Sequence, residues 1–557
     1  MDSAPTLAVR RSSASPPLSA AQALSGRPTE SEAEARRAVN LQETRGWKAR
    51  EDSEPTVLLP PIDWLANPFR DANWLSQLNC WRPLDVYINL HDQTGDRAAF
   101  DRLTAGILDW IAYEADAGSP DALWGDMAAG IRASKLAYVL SRPEFGTLDP
   151  ADRAALTASA RTHLAKLRDP DFISDSNHVM TQIHGAAALT RVIPDAPEAE
   201  DGEAYVADLL TRALRSQFGV EGVHLEHSPT YHVYAIYGFR RLATSGWHDD
   251  GELPKTLKRA KKALPWFIFP DDHLCAIGDS APKPKTARPP ALSGDTVGRL
   301  FREAGYGVVR HNWTRPGGAT AMLIATCGHH SLKHKHADDL SFELFEGGRR
   351  LIVDSGKCTY DKGPLKAYAR GAAAHNAIDL LEEVSDNGLR GTPPAGGGLT
   401  RLEETSWGWI IDGAFKRPAH GVRHRRRFLY RPSQWLVLLD EVEAERDRRM
   451  TAWLHLDPTI VGHREADGWR AEATTIRYVS DHPLTLTRVR GGEDPLQGWM
   501  STRYGKLTGN DALGASWSGA RQRLVTVIHL DLDRPAPTVT LGDDFSVIWD
   551  DRILEGL

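Results

Sequence analysis

Three short stretches concentrate side chains that can handle protons, anions or a metal. In "SNH" (176–178), Asn177 and His178 stand side by side just ahead of a helical run. An amide and an imidazole together can donate hydrogen bonds to a substrate anion. Equally, Asn177 can cap the helix and leave His178 on the surface. In "GVHLEHSPTYH" (222–232), Glu226, His227 and Tyr231 lie among His224 and His232, with Tyr234 and Tyr237 following. An aromatic stripe is ordinarily core, but three histidines and a glutamate are costly to bury, so the stretch reads as a cleft lining. A tyrosine there can act as general acid or base when positive neighbours lower its pKa. The third stretch, "GHHSLKHKHADDLSFELFEGGRRLIVDSG" (328–356), holds His329, His330, His334 and His336 and ends near Asp354, with His375 further on. His334 and His336 are two apart, so on an extended chain they point to the same side. Two histidines and a carboxylate could bind zinc. A tight turn at Gly347-Gly348, however, pairs Asp354 with Ser341, about 16 Å of strand away from His336. Spacing alone leaves that metal set open.

These residues need elements to position them. From about residue 60 to 275 the signals are helical. In "TLDPADRAALTASARTHLAKL", Asp149 suits the cap, Pro150 the first turn, and Leu156, Ala160, Leu164 and Leu167 one apolar face. "YVADLLTRALRSQFG" repeats the pattern with Val206, Leu209, Leu210, Ala213 and Leu214. The Pro-, Gly- and Lys-rich "GDSAPKPKTARPPALSGD" is the best linker. Beyond it come short period-two runs such as "ATAMLIATC", "LSFELFE", "WLVLLDEVEA" and "RLVTVIHLDL", separated by turn residues, which imply an antiparallel sandwich. The basic run "RHRRRF" (423–428) alternates like a strand and reads as a solvated sheet face.

With 557 residues, more than one domain is expected. A formal net charge of −7 argues against a nucleic-acid partner, and four scattered cysteines argue against a disulfide framework. No apolar run suggests a signal peptide or a membrane span, so a cytoplasmic location is expected. Residues 1–55 are rich in Ser, Ala, Pro, Glu and Arg and predict poor order.

Taken in order, "SNH", "GVHLEHSPTYH", "HKHADDLSFELFEGGRRLIVDSG" (334–356) and "YARGAAAHNAI" (368–378) resemble the heparinase II/III-like polysaccharide lyases, a group that includes oligoalginate lyases. The resemblance implies an (α/α) toroid of helical hairpins over 56–285 and an antiparallel β-sandwich over 286–557. It implies β-elimination at a uronic acid of a polysaccharide or oligosaccharide. Asn177 and His178 would neutralise the uronate carboxylate, Tyr231 would serve as acid or as acid and base, and His334 would assist as base or neutraliser. A tyrosine of the β-domain joins them, and Tyr360 is preferred over Tyr368. The resemblance also implies one structural zinc on His336, Asp354 and His375, and no organic cofactor. Trp74, Trp81, Trp124, Arg132, Glu226, His227, Tyr368 and Arg370 are the expected substrate-binding residues. A homodimer is compatible with all of this.

Two other readings compete with the lyase. A glycoside hydrolase on the same toroid would need two opposed carboxylates, and the acids near the motifs are Glu226, Asp338 and Asp339. A non-catalytic glycan-binding protein of exopolysaccharide metabolism would not need Asn177, His178, Tyr231 and His334 together.

Overall fold

The structure, a computed structural model, describes residues 16–50, 53–118, 120–248, 251–282, 296–312, 320–359, 363–380, 397–417, 421–503, 505–541, 545–549 and 552–553. The chain forms two compact units, Met1–Ser216 with Tyr237–Pro254, and Gln217–Ile236 with Lys255–Leu557.

The first unit is helical. The Pro150–Lys166 helix opens on its proline and buries Leu156, Ala160 and Leu164. Asp149 occupies the cap position but makes no side-chain capping hydrogen bond. The Gly202–Gln217 helix buries the five apolar residues its period marks. Among the described residues before 56, Ala20–Ala23 and Glu32–Arg45 are helices, so the expectation of poor order does not hold for those segments. Ser31 caps the second through the Glu34 amide, and Glu32 and Glu34 sit at its positive end. A narrow stripe, buried Ala35 with half-buried Val39, docks it against Leu90 and Ala99. Composition registers the polar majority of such a helix and misses its single contact stripe.

The helices Asp126–Leu140 and Val179–Val192 are buried along most of their lengths. They touch backbone to backbone. A Cβ on Gly130 would lie 2.4 Å from the Thr181 carbonyl carbon, and one on Gly185 would lie 2.4 Å from the Gly130 oxygen. This approach brings together the helix starts that carry Asp126 and His178.

The second unit is built on two antiparallel sheets. Five strands, Thr296–Phe301, Tyr306–His311, Ala321–Thr326, Phe342–Glu346 and Arg349–Ile352, form a simple meander. A ten-stranded sheet is centred on Trp435–His455 and Asp511–His529, which pair along almost their whole lengths. Val309, Leu323 and Leu344 of the smaller sheet share a core with Ile411, Phe428, Leu438 and Leu513 of the larger, which makes the pair a sandwich. The smaller sheet is apolar on its other face too. Tyr306, Val308, Met322 and Phe345 there pack on Val223, Leu225, Phe267, Phe269 and Leu274. A sheet apolar on both faces must be covered on both. That requirement places 217–236 and the segment after 255 with the β-sheets, ahead of the boundary read at 285/286.

On the strand Val422–Arg431, Arg425 pairs outward with Glu441 and Arg427 with Asp412. Arg426 and His424 instead point inward to a buried Asp440. So half of the basic run is a solvated face and half is core. Among the described residues, no helix is long and apolar enough to cross a membrane.

Candidate active site

In the second unit, the loop joining Ala321–Thr326 to Phe342–Glu346 carries His334 and His336. It is irregular. His334 (φ 54°) and Leu340 (φ 63°) adopt left-handed backbone that few non-glycine residues take. The turn at His334 breaks the same-side alternation that the two-residue spacing suggests. The loop is held from within by buried Lys335, which pairs with Asp338 and Asp339. The Arg370 guanidinium donates to the carbonyls of Leu332 (3.1 Å) and Lys335 (2.8 Å). Arg426 donates to the carbonyls of Leu340 and Asn376, both at 2.7 Å. Arg370, expected to meet substrate, is thus a clamp on the histidine loop.

The His334 ring stacks on Tyr231, with centroids 3.4 Å apart and planes 21° apart. Its Nδ1 lies 2.8 Å from Asp279 Oδ2 and its Nε2 lies 3.4 Å from Glu226 Oε2. The Lys357 ammonium stands 5.6 Å from the Tyr231 ring centroid, and Tyr234 meets Tyr231 edge-on. Tyr231 and its neighbourhood therefore combine a phenol, an imidazole, a cation and two carboxylates. A nearby cation favours phenolate, and a flanked imidazole can hold or pass a proton.

Asp279 and Lys357 were not among the residues expected from sequence. Asp279 lies at the start of the linker stretch, within Gly278-Asp279-Ser280, a tripeptide with no recognisable catalytic spacing. Burial would raise its carboxyl, but hydrogen bonds from His334 and His336 hold it well below the usual carboxylate range. The one available signal was Gly278. Its φ is 62°, and a Cβ there would meet the His227 oxygen at 2.2 Å.

The histidines of "GVHLEHSPTYH" divide by role. His232 is core: its Nδ1 accepts from the His224 amide, its Nε2 faces the Ala260 carbonyl, and burial pushes its pKa down to about 4. His227 is buried and held neutral by that burial. Its Nε2 accepts from the amides of His330 (3.1 Å) and Ser331 (3.4 Å), so it supports the start of the histidine loop instead of lining a subsite. His330 stacks on it, as a polar loop residue. Tyr368 is also buried, with its hydroxyl placed between Gln497 and Trp499, and burial raises its pKa. It packs the β-domain and is not presented to a sugar. Tyr360 lies outside the described residues.

The expected zinc ligands are neighbours, but not as a three-ligand shell. Among the described residues, no group of three or more His, Cys, Asp or Glu is gathered to hold a metal. Asp354 Oδ2 instead accepts from His375 Nδ1 at 2.8 Å, and Asp279 Oδ1 accepts from His336 Nε2 at 2.9 Å. The His336 and His375 rings are 5.2 Å apart. His336 Nδ1 and His375 Nε2 are buried and have no hydrogen-bond partner. An imidazole tied to a carboxylate by one nitrogen and open at the other is the arrangement of a histidine metal ligand. The two histidines fit a metal, with Asp354 placed to orient His375.

In the first unit, the helix carrying "SNH" begins at Val179, so Asn177 is not its cap. Ser176 Oγ accepts from the His178 amide, and His178 Nδ1 lies 3.0 Å from Asp126 Oδ1. Burial would raise the Asp126 carboxyl, but the His178 hydrogen bond brings it below its usual value. The expected sugar-binding set here needs correction. Trp74, Trp81 and Arg132 are 1%, 0% and 0% exposed. Arg132 donates to the carbonyls of Asn79 and Leu123 and to His163 Nε2. The rings of Trp81, Trp110 and Trp124 surround its guanidinium, the nearest centroid at 4.3 Å. The cation is enclosed by the three indoles, and Trp124 is buried with them.

A helical unit and an antiparallel sandwich bearing a Tyr–His pair define an α-then-β architecture of the kind expected from the sequence. Residues 36–294 match the model of the heparinase II/III N-terminus, and residues 294–538 match that of the heparinase II/III-like C-terminal domain. The chain belongs to the heparinase II/III-like family. A heparin-sulfate lyase of Bacteroides thetaiotaomicron is 23% identical over 329 residues, 49% of this chain and 45% of that protein. One of Bacteroides stercoris is 20% identical over 385 residues, 60% of this chain and 54% of that protein. The chain thus spans about half the length of the curated relatives it matches. The crystal structure of heparinase III superposes with a TM-score of 0.72 at 17% identity, covering 95% of this chain and 91% of that one. Heparan sulfate lyase HepC from Pedobacter heparinus gives 0.60 at 15% identity, covering 94% and 88%. The fold is accordingly an (α/α) toroid followed by an antiparallel β-sandwich.

Proposed function

We propose that this protein is a polysaccharide lyase that cleaves a uronate-containing acidic glycan by β-elimination, with glycosaminoglycans as the substrate class suggested by the names of its relatives. The observation that carries the reading is the Tyr231–His334 stack, with His334 set between Asp279 and Glu226. In this reaction the C5–H bond breaks and its proton passes to a base. The electron pair forms the C4=C5 double bond, the C4–O bond breaks, and the leaving oxygen takes a proton. Tyr231 supplies that proton, and it also removes the C5 proton if the two depart from one face. His334 assists as base or as a positive neighbour, and Lys357 favours the phenolate. Asn177 and His178 hydrogen-bond the uronate carboxylate, which makes C5–H more acidic by stabilising enolate-like charge.

A structural zinc is part of the proposal. His336 Nδ1 and His375 Nε2 are the atoms that would take it, and Asp354 is the carboxylate that would join or orient them. The ion would fix the loop that carries His334.

The test is incubation with a panel of heparan-type, chondroitin-type, alginate and pectate-like polymers, followed by far-ultraviolet absorbance and mass spectrometry. Each cleavage is expected to leave one fragment that absorbs as an unsaturated uronate and is one water lighter than its hydrolysis counterpart. Saturated fragments with new reducing ends would replace the lyase with a hydrolase.

A further inference from the structure

We propose that Asp279 is a positioning residue that fixes the proton positions of both loop histidines at once and so sets which nitrogen His334 offers to the reaction. The inference rests on the reading of His334 as part of the lyase site. A carboxylate only accepts hydrogen bonds. With Oδ2 2.8 Å from His334 Nδ1 and Oδ1 2.9 Å from His336 Nε2, each oxygen takes one N–H. His334 then carries its proton on Nδ1 and turns Nε2 toward Glu226, beside Tyr231. His336 carries its proton on Nε2 and leaves Nδ1 on the buried side. The two histidines are two residues apart, and the left-handed turn at His334 lets both reach one carboxylate.

Asp279 is itself anchored to the segments that bear the reacting groups. Gly278 permits the chain to pass close to the His227 carbonyl. The Asp279 carbonyl accepts from Ser228 Oγ at 3.1 Å, three residues before Tyr231. Ser280 Oγ meets Ser228 Oγ at 2.8 Å, and the Ser280 carbonyl accepts from the Lys357 amide at 2.8 Å. The tripeptide thus joins the Tyr231 segment, the Lys357 segment and the histidine loop through one short turn. Its carboxylate is the part of that turn that meets the two ring nitrogens, and as a pure acceptor it favours a protonated nitrogen over a bare one.

Asp279→Asn is the informative change, because the amide keeps the shape but offers one acceptor and one donor. One of the two histidines must then face an N–H with a bare nitrogen. The expected result is a kcat loss of roughly 10–100-fold, the usual effect of removing an orienting partner, with little change in KM or thermal midpoint. Nitrogen-15 spectra of histidine-labelled protein, with each ring assigned from His334→Gln and His336→Gln spectra, should show the proton leaving either His334 Nδ1 or His336 Nε2. Wild-type kcat in Asp279→Asn together with unmoved tautomers at both histidines would overturn the inference. His334→Ala separates the two levels: if it is fully active, the parent reading fails. If it is inactive while Asp279→Asn is normal, only this inference fails. The tautomer measurement needs no substrate and stands whatever the activity screen returns.

Discussion

At the scale of single residues, the site depends on groups whose partners decide their chemistry. Tyr231 and phenylalanine differ by one hydroxyl, and the stack on His334 survives that exchange. Tyr231→Phe should therefore lower kcat by roughly 10²–10⁴-fold, the range for loss of a general acid or base, while the thermal midpoint stays within a degree or two of wild type. Product absorbance and differential scanning calorimetry on the same preparation check both halves. Arg132 carries the opposite expectation. Its guanidinium satisfies two buried backbone carbonyls and is enclosed by three indoles. Losing charged hydrogen bonds to buried carbonyls costs about 1.5–3 kcal/mol each. Arg132→Ala should thus cost roughly 3 kcal/mol or more in urea denaturation. Unchanged stability with a raised KM would return Arg132 to the substrate-binding role that its sequence context suggests.

At the scale of elements, close contacts set the sign of mutational effects. Gly→Ala on an exposed helix face ordinarily stabilises by about 1 kcal/mol. Gly185 lies against the Gly130 carbonyl, so an added methyl must push two helices apart. Gly185→Ala should destabilise by about 1–3 kcal/mol, the cost of overpacking, and should lower turnover by displacing the helix starts that carry Asp126 and His178. Chemical denaturation with parallel kinetics tests this. A second element effect concerns pH. Glu346 ends a buried strand and accepts from the Tyr430 hydroxyl at 2.6 Å and the Ser433 amide at 3.2 Å. Burial pushes its carboxyl up to about 7. The native state therefore keeps a proton that the unfolded chain releases near pH 4.5. The stability this group contributes is fully present below about pH 4.5 and is lost as pH rises through about 7. Glu346→Gln should flatten the decline in urea stability between about pH 5 and pH 7.5. Parallel profiles for the two proteins would mean that Glu346 is ionised in the native state.

At the scale of the whole molecule, a bound ion would stabilise the native state by mass action, because it binds that state and not the unfolded chain. The residues that would take it, His336 and His375, sit on segments far apart in sequence that the β-sandwich brings together. Dialysis against a chelator should lower the thermal midpoint of the wild type, and added Zn²⁺ should restore it. His336→Ala should show neither response. Elemental analysis that finds no stoichiometric metal, with His336→Ala as stable as the wild type, would remove the ion from the account. The overall charge sets a further condition. With 74 acidic and 67 basic side chains, the protein as a whole repels a polyanion, so the proposed acidic substrate would depend on local cationic groups.

The sequence by itself determined the order of architectures, because 3.6-residue and two-residue apolar periods are local properties of the chain. It also brought forward Asn177, His178, Tyr231 and His334, whose residue types and order carry the family resemblance. It did not reveal Asp279, which lies 55 residues before His334 in a stretch that reads as linker. Nor did it show that Trp81 and Arg132 answer each other inside the helical unit, or that Arg370 and Arg426 grip carbonyls of the histidine loop. Tertiary structure decided these, for one physical reason. A periodic pattern reports only that a side chain faces inward, whereas its role depends on which donor or acceptor, distant in sequence, it meets there. His334 and His336 make the point together: two residues apart, they share one carboxylate only because the backbone turns left-handed at His334.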